Sequence, residues 1–286
     1  MKIGVITELL RKPILESIDY AASIGAQGVQ IYAAHGDEGY NFVNCTAKEI
    51  ATLRNRCDAN KLEISAVCGD ISNLSLQVDY QWQPRVEVLK KVLNTVAALE
   101  CKVMTSHIGC IPESVQDPVY ANMVRGVREA ADYAHKLGCK FAIETGPELA
   151  DVLLRFINDV ASEGVAINLD PANLRGVSCE DPAYAVRTLG KYIVHTHAKD
   201  SVNTHVGSAA KFYGMRNPDG SYREISARAA GFKEVPLGQG MVNWPEYIAA
   251  LREVGFDGFL TIERECGDDP VADITMAIDF LKKQLA

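Results

Sequence analysis

The strongest constraint on the fold is an eightfold alternation between two sequence patterns. Short runs rich in Val and Ile, each ending in polar residues, are followed by longer stretches with apolar residues three or four positions apart. The first pattern is typical of buried strands and the second of amphipathic helices. The eight predicted strands begin at Lys2, Gly28, Glu63, Lys102, Lys140, Val165, Tyr192 and Phe259.

Strands that are apolar on both faces need helices on both sides of the sheet, which favours a parallel arrangement. Eight βα units in 286 residues therefore predict a (β/α)₈ TIM barrel that forms a single domain over residues 1–286. An open doubly wound sheet is the alternative. The first strand, however, leads into ITELLRK rather than into the glycine-rich phosphate loop that such a sheet usually carries.

One connection is much longer than the others. Between the seventh and eighth strands, residues 201–242 are predicted to form a loop insertion. Connections longer than about 12–15 residues are usually lids or binding loops, and in a barrel this one follows the end of a strand. We therefore expect a lid over the mouth of the active site; an arm for assembly into a homo-oligomer is the alternative.

Charge and composition exclude several classes of partner. The 37 acidic residues outnumber the 29 basic ones, and the net charge of −8 disfavours a broad surface for nucleic acid. No stretch approaches the ~20 apolar residues of a membrane span, and the first residues do not resemble a signal peptide. The eight cysteines form no C-x-x-C pair, which disfavours a structural zinc site or a thioredoxin-like motif. In a chain this large without an apparent export signal, they are predicted to be reduced, mostly buried thiols. We expect a cytoplasmic protein with a small-molecule substrate and no nucleic-acid or membrane partner.

Four late strands end in residues that bind metals. These residues are Glu144, Asp170, His197 and Glu263, separated by 26, 27 and 66 positions. Because barrel chemistry lies where strands end, adjacent strands would aim three carboxylates and one imidazole at one point. The carboxylates would repel one another there unless a cation joined them. One such strand end could arise by chance, but four in the same phase indicate a divalent-metal site. Mn²⁺ is the predicted ion, with Mg²⁺, Co²⁺ or Zn²⁺ as alternatives.

Four further residues are candidates for substrate binding. His107 ends the fourth strand and could hydrogen-bond a sugar hydroxyl or simply pack there. His195 lies two residues before His197, so it faces the same side one layer deeper, where it would orient a ligand or contact substrate. Lys199 has the same phase and would stabilise an oxyanion or pair with a neighbouring carboxylate. Asn173 is predicted to face the pocket.

Five segments of the sequence resemble one known family. They read SHIGCIPE, AIETGPE, NLDPANL, VHTHAKD and VPLGQGMVNWPEYIAALREVGFDGFLTIERE. These segments resemble the xylose-isomerase-like TIM barrels, a group of sugar isomerases and epimerases that includes the ketose 3-epimerases. The resemblance covers nearly the whole chain and is specific for the superfamily rather than for one substrate.

The resemblance implies a Glu–Asp–His–Glu metal centre, which here falls on Glu144, Asp170, His197 and Glu263. It also implies that Glu144 and Glu263 are catalytic and move protons on opposite faces of the substrate carbon. Asn173 and Asn203 stand where ketose 3-epimerases have a histidine and an arginine. These differences predict a substrate other than free fructose or tagatose.

The predicted function is a divalent-metal-dependent sugar or keto-sugar isomerase or epimerase of carbohydrate metabolism. A carboxylate would remove a proton next to a carbonyl through a metal-stabilised enediolate. A related lyase or hydrolase on an oxidised sugar is the first alternative. A remote alternative is an apurinic-endonuclease-like phosphodiesterase, which the six histidines and the negative charge disfavour. A non-catalytic sugar-binding barrel is disfavoured by the intact ligand set.

Overall fold

Eight parallel strands close into a barrel in the computed structural model, which describes residues 1–34, 40–70, 82–208, 221 and 228–286. Each strand pairs with its neighbours in chain order, and the first barrel strand pairs with the last to close the ring. All eight predicted strands lie in this barrel, so the predicted fold is confirmed. The barrel strands are β1 Lys2–Ile6, β2 Gly28–Tyr32, β3 Glu63–Cys68, β4 Val103–Ser106, β5 Lys140–Glu144, β6 Val165–Leu169, β7 Ile193–Ala198 and β10 Phe259–Ile262.

Helices follow the barrel strands on the outside. They are α1 Ile14–Ser23, α2 Ala47–Ala59, α3 Trp82–Ala98, α4 Pro118–Lys136, α5 Ala150–Val160, α6 Pro182–Leu189, α7 Trp244–Glu253 and α8 Pro270–Leu285. Three begin with an Asp-Pro pair, in which the Asp side chain accepts a hydrogen bond from the first turn and the Pro occupies that turn. After α4 and α7 the chain turns back at Gly138 and Gly255, whose positive φ angles of 70° and 73° suit glycine.

The apolar face of each helix packs against the barrel. In α3 this face contains Val86, Leu89, Leu93 and Val96, all of which are buried. Inside the barrel, small side chains from four strands form a separate cluster of Ala66, Val103, Ala142 and Ala166. Within the described part of the chain, no helix is both long enough and apolar enough to cross a membrane.

The predicted loop insertion at 201–242 contains regular structure. Strands β8 Asp200–Ser208 and β9 Arg228–Val235 pair antiparallel and form a hairpin beside the barrel. The prediction of a loop throughout this stretch was therefore wrong, because main-chain pairing between these two strands satisfies their backbone groups. Residues 209–220 and 222–227, the middle of the insertion, lie outside the described residues, and the lid stays a prediction.

The base of this hairpin is fastened by one buried carboxylate, Asp200, which is 1% exposed. Its two oxygens accept five hydrogen bonds of 3.0–3.2 Å. The donors are the main-chain N–H groups of Ser201, Gly238, Gly240 and Val242 and the indole Nε1 of Trp244. A Cβ atom at Gly240 would lie 2.0 Å from Asp200 Oδ1, which explains why glycine stands in the VPLGQGMVNW segment.

Candidate metal centre

The four predicted ligands meet at the carboxyl end of the barrel. Glu144 ends β5, Asp170 follows β6, His197 lies in β7, and Glu263 follows β10. One ligand atom of each residue lies within 4.8 Å of the corresponding atom of every other, and all four residues are buried. Because parallel strands all end at the same edge, residues far apart in sequence converge there.

His197 Nδ1 lies in the middle of the three carboxylates. It is 2.9 Å from Glu263 Oε2, 3.3 Å from Glu144 Oε1 and 3.8 Å from Asp170 Oδ2. Neither Asp170 Oδ2 nor Glu263 Oε2 accepts a hydrogen bond among the described residues, although Lys199 Nζ lies 3.3 Å from Glu263 Oε2. Buried anionic oxygens without donors are costly. Two carboxylate oxygens without hydrogen-bond donors, together with Glu144 and one imidazole, therefore fit a divalent cation.

The charges within the cluster also favour a cation at this site. Burial raises the pKa of Asp170 above its ordinary value. At Glu263 burial acts in the same sense, but the positive charges of Lys199 and His197 outweigh it and hold the pKa well below its usual range. Burial likewise opposes charge on His197, yet Glu263 and Glu144 raise its pKa. The three carboxylates thus favour a positive charge at this place, which suits a cation.

Lys199 is placed beside this cluster and is engaged in ion pairs. Its Nζ lies 2.5 Å from Glu265 Oε2, 3.3 Å from Glu263 Oε2 and 3.6 Å from Glu234 Oε2. These contacts agree with the second interpretation of Lys199 given from the sequence, in which it pairs with a neighbouring carboxylate. Direct contact of Lys199 with substrate stays a prediction.

His195 lies one layer below the centre, as its spacing from His197 predicts. Its Nδ1 is 2.8 Å from Asn168 Oδ1, and its Nε2 is 2.8 Å from Thr261 Oγ1. Burial holds the pKa of His195 well below its ordinary value, which favours the neutral ring. Asn168 in turn donates from Nδ2 to Glu144 Oε2 at 3.2 Å. His195 therefore reaches a ligand of the centre through Asn168, which supports an orienting role.

Asn168 and Gln30 are functional candidates that the sequence analysis missed. Gln30 Oε1 lies 3.1 Å from His197 Nε2. An Nε2–H that donates to this oxygen leaves the lone pair of Nδ1 facing the carboxylates, which is the tautomer that binds a metal through Nδ1. Both residues are polar positions inside apolar strands, and this is the signal that could have found them.

His107 stands at the rim of the centre, held by a carboxylate that was also missed. Its Nδ1 lies 2.7 Å from Asp70 Oδ2, and its Nε2 lies 3.4 Å from Glu144 Oε1. The charge of Glu144 and the hydrogen bond with Asp70 raise the pKa of His107 to about 10. Asp70 follows β3 as Asp170 follows β6, so applying the strand-end argument to the early strands would have found it.

Asn173 also reaches the centre. Its Nδ2 donates to the main-chain oxygen of Thr145 at 3.1 Å and lies 3.5 Å from Glu144 Oε1. Asn203 lies further out, at the base of the hairpin, where its Nδ2 donates to the main-chain oxygen of Arg175 at 3.4 Å. Substrate binding by Asn173 stays a prediction.

Fold and site together define a (β/α)₈ barrel with a four-residue centre, suited to a divalent cation, at the carboxyl ends of its strands. The chain belongs to the xylose isomerase-like TIM barrel family, whose model matches residues 18–284. The resemblance described from the sequence is thereby confirmed.

Relatives of known structure or name share nearly the whole barrel. D-psicose 3-epimerase from Agrobacterium fabrum is 23% identical over 263 residues, which cover 86% of this chain and 77% of that protein. The crystal structure of a xylose isomerase domain protein from Planctomyces limnophilus has a TM-score of 0.76 at 26% identity, and the match covers 99% of this chain and 96% of that one. The probable 3-DHS dehydratase AsbF from Bacillus anthracis has the same fold, with a TM-score of 0.73 at 20% identity and 99% coverage of both chains.

Proposed function

We propose that the protein is a divalent-metal-dependent isomerase or epimerase of a sugar or keto-sugar. The observation that carries this proposal is the pair Glu144 and Glu263, which approach the same imidazole nitrogen from two strands, at 3.3 and 2.9 Å. Two carboxylates beside one metal-binding centre provide a base and an acid for one substrate carbon. The family and the similarity to a D-psicose 3-epimerase support this class of reaction.

The four residues of the centre would hold the cation, and we propose Mn²⁺. When bound, this ion supplies Lewis-acid polarisation of a carbonyl oxygen. Glu144 removes the proton from the carbon next to the carbonyl, and Glu263 returns a proton to the opposite face, which gives the epimer. A proton returned to the adjacent carbon instead gives the isomer.

Neighbouring residues prepare the two glutamates for these roles. Asn168 binds Glu144 Oε2, which leaves Glu144 Oε1 for the side that faces His197 and His107. Lys199 pairs with Glu263 and favours its charged form, so that Glu263, once it has taken up a proton from water, gives this proton up readily. A group that is already fixed in place before the substrate arrives transfers protons without reorganising first.

Proton exchange tests the proposal directly. The protein with added Mn²⁺ is mixed in D₂O with ketoses, 3-keto-glycosides and inososes, and exchange next to the carbonyl is followed by NMR. We expect exchange with at least one class, reduced by about 10²–10⁴-fold in Glu144→Gln and in Glu263→Gln. Glu253→Gln, on the outer surface of α7 where Glu253 pairs with Arg187, is the control. Exchange by neither wild type nor variants, or equal exchange by all, contradicts the proposal.

A further inference from the structure

A second cavity lies at the amino end of the barrel, away from the metal centre. Its volume is about 560 Å³, and it is lined by residues at the start of β5, β6 and β7 and at the end of α5. This volume falls in the range of small-molecule sites, roughly 300–1,000 Å³. The catalytic role proposed above gives this cavity no function.

The strand β5 separates the cavity from the metal centre. Lys140 begins this strand and lines the cavity, whereas Glu144 ends the strand and belongs to the four-residue centre. At ~3.3 Å per residue, the two positions lie about 13 Å apart along the strand. A small molecule in the cavity is therefore out of reach of the metal ligands.

Two ammonium groups line the cavity without a carboxylate partner. Lys140 Nζ donates a hydrogen bond to the main-chain oxygen of Glu163, and Lys191 Nζ lies 4.7 Å from the centre of the Tyr192 ring. Within the described ranges neither ammonium group forms an ion pair, whereas Lys90 Nζ pairs with two glutamates. Because an ammonium group has three donor hydrogens, both lysines can still donate to a ligand.

The other side chains of the cavity restrict the charge and the shape of that ligand. The exposed side chain of Glu163 also lines the cavity, so two lysines and one glutamate leave a net charge of +1. Buried Ile157 and Val165 and half-buried Val194 provide an apolar wall. A ligand with one negative head group and an apolar body would pair with the ammonium groups and remove this wall from water.

We propose that this cavity binds a small monocarboxylic acid with an apolar body. The carboxylate pairs with Lys140 and Lys191, and the body contacts the apolar wall. Inorganic phosphate lacks such a body and meets a net charge of only +1, so it binds more weakly. Neither the metal nor turnover is needed for this binding, which is therefore independent of the proposed function.

The test measures binding of four probes to the whole protein by saturation-transfer NMR, with Mg²⁺ and with EDTA. Benzoate has both features of the ligand, acetate lacks the apolar body, benzyl alcohol lacks the charge, and inorganic phosphate is the multiply charged anion. We expect benzoate to bind at least about tenfold more tightly than each of the others, because only benzoate gains both the charge pairing and the apolar contact. Its affinity is the same with Mg²⁺ and with EDTA.

Variants of the two lysines locate the site. Lys140→Gln and Lys191→Gln each weaken benzoate binding at least about fivefold and change benzyl alcohol binding less than about twofold, because only the charge pairing is lost. Lys12→Gln is the matched control, since Lys12 also lies over a tyrosine ring, 5.3 Å from the centre of Tyr20, but outside the cavity. This control leaves benzoate binding unchanged.

Several results would overturn the proposal. They are absence of benzoate binding, acetate or phosphate binding as tight as that of benzoate, and an equal loss in Lys12→Gln. Benzoate binding that persists in both cavity variants, or that disappears with EDTA, places the probe elsewhere and also overturns it. Each of these results leaves the proposed function of the metal centre untouched, because proton exchange measures that function separately.

Discussion

Two buried aspartates at neighbouring strand ends, Asp200 and Asp170, use the same side chain for different purposes. Asp200 accepts five hydrogen bonds, so both of its oxygens are filled by the protein. Asp170 Oδ1 accepts from the N–H groups of Ala172 and Asn173, but Asp170 Oδ2 has no partner within the described ranges. Both aspartates are at most 1% exposed. Burial therefore does not distinguish a structural carboxylate from a candidate ligand, whereas an oxygen without donors that lies beside other ligand atoms does.

The largest effect is expected on metal binding when the open oxygen of Asp170 is removed. In Asp170→Asn the amide oxygen can still accept the two N–H groups, whereas the anionic ligand is lost. Mn²⁺ affinity should fall by more than about 100-fold, beyond the usual cost of losing a residue that only orients a ligand. Elemental analysis and calorimetric titration measure this loss. Asp200→Asn is the matched control and should keep the metal; retained affinity in Asp170→Asn would show that it is not a ligand.

For stability we expect the opposite order, with a larger effect of Asp200→Asn than of Asp170→Asn. In Asp200→Asn an amide NH₂ group faces N–H donors, so the free energy of unfolding should fall by about 3–5 kcal/mol. Urea unfolding measures it. The same measurement on Asp170→Asn should show a change below about 1 kcal/mol, because its helix-capping contacts persist. A larger loss of unfolding free energy in Asp170→Asn than in Asp200→Asn would contradict the structural role assigned to Asp200.

A third buried carboxylate, Glu148, extends the comparison because it has neither a full set of donors nor a place in the metal centre. Burial raises its pKa from 4.5 to about 7. Between these two pKa values the folded state holds a proton that the unfolded state releases. The contribution of Glu148 to the free energy of unfolding is therefore fully present below pH 4.5 and is lost as the pH rises through 7. Glu148→Gln should be more stable than the wild type at pH 9 by up to about 3 kcal/mol, and the difference should vanish near pH 4. Urea titrations at the two pH values check this; equal differences at both would contradict it.

The smallest expected effect concerns the residue that orients Glu144. Asn168→Ala removes the hydrogen bond to Glu144 Oε2 and should weaken Mn²⁺ binding by about 10–100-fold. Asn158→Ala, which removes a partner of Tyr192 outside the barrel, is the control for the calorimetric titration. Unchanged Mn²⁺ affinity in Asn168→Ala would show that Asn168 does not orient Glu144 for metal binding.

The barrel and the convergence of the four candidate ligands could be predicted from the sequence because each depends on local pattern. Val and Ile runs with period-matched helices between them define every barrel strand, and each ligand is read at the end of its own strand. The common edge of a parallel sheet then brings Glu144, Asp170, His197 and Glu263 together without knowledge of any contact.

What the sequence did not predict depends on contacts between distant residues. The hairpin pairs β8 with β9, whose sequences mix polar residues and glycine, and only their mutual hydrogen bonds make them strands. The roles of Asn168 and Asp70 likewise come from neighbours on other strands: Asn168 bonds Glu144 and Asp70 bonds His107. The position of a polar residue in its strand marks it as a candidate, but it does not show which residue on another strand is its partner.

The hydrogen bonds to Asp200 have a consequence for how barrels of this family could be redesigned. They fix the polypeptide three residues after His197, before the chain reaches the outer part of the hairpin. We therefore expect that the sequence between β8 and β9 can be lengthened, shortened or exchanged without displacing the candidate ligand His197.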